Sequence, residues 1–303
     1  MKIQINEVNV NTWTEFKTIL STLLEYTNVN NYIFRGQGNA KWTLETSLDR
    51  SPMAYRENIL SQFIDLKSAE ELIIEEFKSG MNLYLNPATE YNLSEIIALM
   101  QHHGIPTRAL DFTFSPYIAS YFAFENIPIN SDNVAVWSIH TTSLLNKLNT
   151  CLRENTELLK HVKSIDSKKK LYENDDVINR IIYHNEESLV IPLNISSKNK
   201  RYNIQQSFML ASGNIKKSFI DNLTALINGH AIQITKYVLP KEIKQGVMLD
   251  LDRMNINAET LFGGMDGFAR RIKQRYENQQ FYDIITQEFV ERVKKDGGTI
   301  EGL

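Results

Sequence analysis

The first apolar pattern along the chain is helical. Trp13, Phe16, Leu20, Leu23 and Leu24 recur on one face behind Thr12 and Glu15 at capping-box spacing, which predicts a helix from about 13 to 26. Tyr32-Ile33-Phe34 then favours a strand that runs straight into Arg35-Gly36-Gln37, and Trp42 and Leu44 alternate with polar neighbours as in a half-buried strand. Ile59, Phe63, Leu66, Leu72, Ile73 and Phe77 predict a helix over 55–83. The next helix, 93–103, stops at Gly104, and Pro106 forces the chain to leave it extended. After an extended 105–111, Ser115-Pro116 reads as a cap and first helical turn. Strands are expected over 133–140, 187–193, 204–210 and 231–239, and helices over 215–227, 241–254 and 258–277. The segment 143–183 is polar, lysine-rich and helical in character, a candidate lid or insertion. Strands scattered among helices, without the regular alternation of a doubly wound sheet, make a mixed α+β fold.

Composition narrows the field. The chain has 303 residues, 42% of them hydrophobic and 10% aromatic, ample for a packed core. A net charge of −3 and a pI near 6.1 argue against non-specific coating of nucleic acid, and Lys168-Lys169-Lys170 reads as a solvated helix face. The single cysteine, Cys151, excludes an internal disulfide framework and a cysteine zinc site. Met1-Lys2-Ile3-Gln4-Ile5-Asn6 lacks a secretory apolar stretch, and no run approaches the ~20 apolar residues of a bilayer span, so a cytoplasmic protein with no membrane partner is expected. With no GxGxxG after a strand and no Walker A sequence, neither a Rossmann nor a P-loop site is expected.

The candidate chemistry begins at Arg35, a permanent charge on an apolar strand that requires an anionic or carbonyl partner. It either floors an anion-binding cleft or bonds an internal carboxylate or helix-end carbonyl. Gly36 permits a turn or a close backbone approach, and Gln37 adds an amide that donates and accepts. The densest polar grouping is Gln101-His102-His103-Gly104-Ile105-Pro106-Thr107-Arg108-Ala109-Leu110-Asp111-Phe112-Thr113. On an extended backbone Thr107, Asp111 and Thr113 share one face and Arg108 takes the other. The two hydroxyls suit a ribose or amide, and Asp111 suits Arg35 or Arg108. Alternatively Asp111 and Thr113 cap the helix that starts near Pro116. His102 and His103 diverge on a helix and make a poor metal pair, so no metal is expected. Arg270, Arg271, Lys273 and Arg275 form a basic stripe, either a nucleic-acid contact or a solvated face.

Together these segments resemble the FRG domain family, named for phenylalanine-arginine-glycine. The matching pieces are Phe34-Arg35-Gly36-Gln37 with Trp42, Leu44 and Arg50; Gln101 through Asp111, with Thr113, Ser115-Pro116 and Ala119-Ser120-Tyr121-Phe122-Ala123; Arg201 with Gln205-Gln206; and Leu261 to Ala269. The chain departs from the pattern at His103, Ala109, Phe112 and Ser207, where the family usually carries tyrosine, leucine, tryptophan and glycine. The resemblance implies one FRG-type domain over 1–303 with core motifs across 32–271. Such domains occur largely in bacteria and phages, near mobile or defence-related genes, and their activity is generally unassigned.

A further resemblance leads to ADP-ribosyltransferases, whose first core strand carries aromatic-arginine-glycine. It implies an ADP-ribosyltransferase-like fold, with a mixed, largely antiparallel sheet core and flanking helices. The substrate would be NAD, with Arg35 on the pyrophosphate, Thr107, Asp111 and Thr113 along the nicotinamide ribose, and Tyr121 stacked on the nicotinamide ring. Gly36, Gln37 and Arg108 complete the expected nucleotide contacts. Gln205 and Gln206 stand where the third motif's acid belongs, leaving Glu186, Glu187 and Asp111 as acidic candidates. The expected function is a toxin or phage-defence effector that modifies a protein or nucleic-acid acceptor, with an antitoxin as candidate partner; the alternative is a non-catalytic nucleotide- or phosphate-binding module.

Overall fold

The computed structural model describes residues 5–25, 31–51, 65–85, 89–162, 170–184, 187–195, 200–230, 232–277 and 291–295. Seven strands form one sheet: β1 (Asn6–Asn9), β2 (Tyr32–Gln37), β3 (Ala109–Thr113), β4 (Asn133–His140), β5 (Val190–Pro192), β6 (Ser207–Ser212) and β7 (Ile234–Pro240). Their spatial order is β1-β7-β4-β2-β3-β6-β5. Only β1 and β7 run parallel; every other pairing is antiparallel, as the expected α+β class requires. β1 has no counterpart in the sequence reading, because Asn-Glu-Val-Asn on a sheet edge shows no apolar alternation.

The helices are α1 (Trp13–Glu25), α2 (Leu66–Met81), α3 (Leu93–His102), α4 (Pro116–Glu125), α5 (Thr141–Glu154), α6 (Thr156–Leu159), α7 (Asp175–His184), α8 (Lys200–Ile204), α9 (Phe219–Ile227), α10 (Lys244–Arg253), α11 (Ala258–Phe262) and α12 (Gly264–Glu277). They cover both faces of the sheet. Phe34, Val136 and Leu239 pack with Phe16 and Leu20 of α1, Phe124 of α4 and Leu251 of α10. Ile33, Trp137 and Phe112 belong to the opposite core, with Ile97 of α3, Leu148 of α5, Ile181 of α7 and Phe219 of α9. The candidate lid region contributes Leu144, Leu152, Leu158, Leu171 and Ile178 to that same core.

Several expected elements start or stop elsewhere for local reasons. The helix expected over 55–83 begins, among described residues, at Leu66, where the Asp65 side chain accepts from the Ser68 amide at 2.9 Å; its earlier part lies outside the described residues. Trp42 and Leu44 do not form a strand: they sit on a loop that buries Leu44 and displays Trp42. The strand expected from 204 starts at Ser207, because the chain first closes α8 and passes Gln206 at φ +48°. The helix expected over 258–277 is broken by Gly263 and Gly264, at φ +70° and +60°, a left-handed path that only glycine takes readily.

Two features of β2 create the site. β2 and β3 share a single register pair, Phe34 with Thr113, whereas β2 and β4 share six, so the strands part beyond Phe34. Meanwhile α4 lies directly against Gly36: a Cβ there would stand 1.9 Å from the Ala119 carbonyl oxygen and 2.5 Å from the Ala123 nitrogen, both backbone atoms. Gly36 borders the cleft described below, and its missing side chain also makes room for a helix. Gly36→Ala must push α4 off the sheet and is expected to cost about 3 kcal/mol or more, read as a lower urea midpoint in equilibrium unfolding.

Candidate functional site

Where β2 and β3 diverge, a cleft of about 630 Å³ opens. β2 contributes Arg35, β3 contributes Asp111 and Thr113, α4 contributes Phe122, the loop after β2 contributes Trp42, Glu45 and Arg50, and the α8–β6 turn region contributes Arg201 and Gln205. Three guanidinium groups and two carboxylates thus face one space.

Arg35 reaches across the divergence. Its Nη1 donates to the Asp111 backbone carbonyl at 2.6 Å, while its Nε is buried with no hydrogen-bond partner. Burial pulls its pKa down to about 10, opposed by the Asp111 carboxylate and reinforced by Arg50, so at neutral pH it remains a cation with unspent donor capacity. Asp111 is the complementary case. The protein around it pushes its carboxyl above the usual aspartate range, against the pull of Arg35, a Gln101 hydrogen bond and Arg201. Its side chain is nevertheless open to the cleft.

Gln101 orients that carboxylate: its Nε2 donates to Asp111 Oδ2, and its Oε1 accepts from Thr107 Oγ1 at 2.9 Å. Thr107 is itself buried and outside the cleft lining, so it acts through Gln101 instead of touching a ligand. Arg201 stacks on the Phe262 ring, 4.8 Å from its centroid, and its Nη1 lies 2.8 Å from His102 Nδ1. Burial, Arg201 and His103 lower the His102 pKa, which keeps the ring neutral and able to accept there.

Other expected contacts lie elsewhere or are already engaged. Arg108, 2% exposed, is held by Glu70 through Nε at 2.8 and 3.0 Å and through Nη2, and by the Ser212 and Gly213 carbonyls at 3.3 Å. It braces the framework and does not line the cleft. Tyr121 cannot stack on a nicotinamide ring: it is fully buried beneath α12, donating to Glu125 Oε1 at 3.1 Å and accepting from Gln274 Nε2 at 2.7 Å. Gln37 borders the cleft, but its Oε1 accepts from Trp137 Nε1 at 2.7 Å and its Nε2 donates to the Thr43 carbonyl at 2.8 Å. Thr113 donates to the Gln205 carbonyl at 2.7 Å and accepts from the Ser115 amide, tying β3 to the turn. Ser115, and not Thr113, caps α4.

Of the catalytic candidates, Asp111 is in the cleft and the neutral amide Gln205 lines it, with Nε2 bound to the Leu261 carbonyl at 3.0 Å. Glu187 is exposed ahead of the edge strand β5 and outside the lining; Glu186 lies outside the described residues. In the basic stripe, Arg270 faces Glu125 at 3.4 Å, Arg271 pairs with Asp252 and Glu259, and Lys273 approaches Glu277 at 3.6 Å. Among the described residues, no group of three or more His, Cys, Asp or Glu is placed to hold a metal, and no helix is long and apolar enough to cross a membrane. Sequence reasoning missed that Gln101 holds the Asp111 carboxylate and that Glu45 lines the cleft, since each is one polar residue among many until the fold places it.

Residues 30–132 match the family model described as FRG domain. The match takes in Arg35, Trp42, Arg50, Asp111 and α4, and ends before Arg201, Gln205 and Leu261–Ala269. No curated protein and no solved structure matches the chain, so the ADP-ribosyltransferase likeness of the fold has no support from that side.

The two arginines should separate in unfolding experiments. Glu70→Ala strands Arg108 as an unpaired buried cation and is expected to cost about 3–5 kcal/mol. Arg35→Ala removes a desolvated charge held by one carbonyl, and stability should stay within about 1 kcal/mol of wild type.

Proposed function

We propose, from the FRG domain that the chain carries over residues 30–132, that the cleft binds NAD as substrate and transfers its ADP-ribose moiety. The observation that carries this reading is Arg35: a charged guanidinium with an unpartnered buried Nε, opening onto a cleft that also holds the Asp111 carboxylate. Arg35 grips the pyrophosphate, the one part of NAD that matches a forked donor. Asp111, in its carboxylate form, accepts from a ribose hydroxyl and stabilises the positive charge that develops on the ribose as the glycosidic bond stretches. The bonding pair leaves with nicotinamide, which departs neutral. A nucleophile on the acceptor then attacks the ribose C1 and releases its proton to Asp111 or to water. A toxin or defence role, with a protein or nucleic-acid acceptor and an antitoxin partner, fits this chemistry and comes from the resemblance alone.

A second reading is a non-catalytic nucleotide-binding module. It is favoured by Gln205, a neutral amide where the resemblance calls for an acid, with its Nε2 committed to Leu261.

Purified chain incubated with NAD, cell extract and nucleic acid should release nicotinamide and label an acceptor. Arg35→Ala should lower kcat/KM roughly 30-fold, the value of about 2 kcal/mol for a lost charge-assisted contact. Asp111→Asn should lower kcat more than it raises KM. Because the Asp111 pKa is raised, the active ionised form is lost as pH falls through a value above the ordinary aspartate range, which places the acid limb of the rate profile there. Calorimetric NAD binding with no nicotinamide release would hand the case to the second reading.

A further inference from the structure

Trp42 stands apart from the other tryptophans. The chain has three, of which Trp13 and Trp137 are 9% and 3% exposed, while Trp42 is 49% exposed and lines the cleft. An indole left in contact with water forgoes much of the burial that normally stabilises it.

The loop that carries it is held firmly. Before Trp42, the Ala40 amide donates to the Asn133 carbonyl at 2.8 Å. After it, the Thr43 carbonyl accepts from Gln37 Nε2, Leu44 is fully buried, Thr46 and Asp49 bond each other twice, and the Leu48 amide donates to the Thr107 carbonyl at 3.1 Å. The surface beside the indole is polar: Lys41 and Thr43 are exposed, so Trp42 is not part of an apolar docking patch. A rigidly mounted aromatic face thus shares one cleft with Arg35 and Arg50. Planar ring and anion are the two halves of a nucleotide, and a face fixed in advance binds a ring without the cost of ordering a loop.

We propose that Trp42 is the stacking platform for the base of the bound nucleotide, and so the residue that makes the cleft prefer base-bearing ligands over bare phosphates. This deepens the reading above and rests on it for the ligand's location.

Trp42 is the exposed member of a buried set, so the emission of the full chain reports on it. Titration with AMP, ADP or NAD should quench and blue-shift that emission, whereas inorganic pyrophosphate and ribose 5-phosphate should bind without doing so. Trp42→Ala should weaken base-bearing ligands about tenfold and leave pyrophosphate unchanged, and Trp42→Phe should restore most of the loss. Equal weakening of pyrophosphate, wild-type affinity of Trp42→Ala for AMP and NAD, or no spectral response to any nucleotide would overturn the proposal. The two readings fail separately: quenching by AMP without NAD turnover sinks the transferase and keeps the platform, while NAD turnover with unchanged KM in Trp42→Ala does the reverse.

Discussion

The contact between Gly36 and the backbone of α4 is the constraint on which the site depends. With the Ala119 carbonyl where a side chain would begin, the helix rests on the strand's main chain, and this fixes the height of α4 over β2. Phe122 of that helix then reaches the cleft from one side of the sheet. Alternation along β2 sends Arg35 the other way, into the gap that β3 leaves as it parts from β2. A larger residue at position 36 would disturb both walls at once.

The chain carries two arginines near each other in the fold with opposite assignments. Arg108 has every feature of a framework cation: a bidentate carboxylate, two carbonyls and almost no exposure. Arg35 has one carbonyl and an unspent donor. A buried ion pair stabilises little over an apolar pair, yet it is very costly to break, so Glu70 and Arg108 specify one arrangement of α2 against β3 and β6. Arg35 specifies nothing comparable, and the Asp111 carboxylate and carbonyl offset only part of its desolvation.

Much of the layout was legible from residue patterns. The helix at 13–25, the strands at 32–37 and 133–140, the Ser115-Pro116 helix start and the break after His102 all follow from apolar period and capping, which are local. Arg35 and Asp111 were legible because charge on an apolar strand is rare. The alternation rule failed to sort Thr107, Arg108 and Tyr121, since what decides each is a distant partner: Gln101 for the first, Glu70 for the second, Glu125 and Gln274 for the third. Trp42 misled for a related reason. Its spacing from Leu44 mimics a strand, and only the Gln37 bond to Thr43 and the anchors around it turn that spacing into a loop.

The charges of the cleft define what completes it. Three guanidiniums face two carboxylates in a chain whose net charge is −3, so the local surplus is positive within a negative molecule. A simple anion would relieve Arg35 but repel Asp111, whose carboxyl is already pushed up by its surroundings. A simple cation would reverse the problem. A ligand that joins an anionic group to hydroxyl donors satisfies both, because the anion meets the guanidinium and the hydroxyls give the carboxylate the hydrogen bonds that favour its ionised form. Sugar phosphates have that combination, and among them those with a planar ring also cover the exposed indole of Trp42.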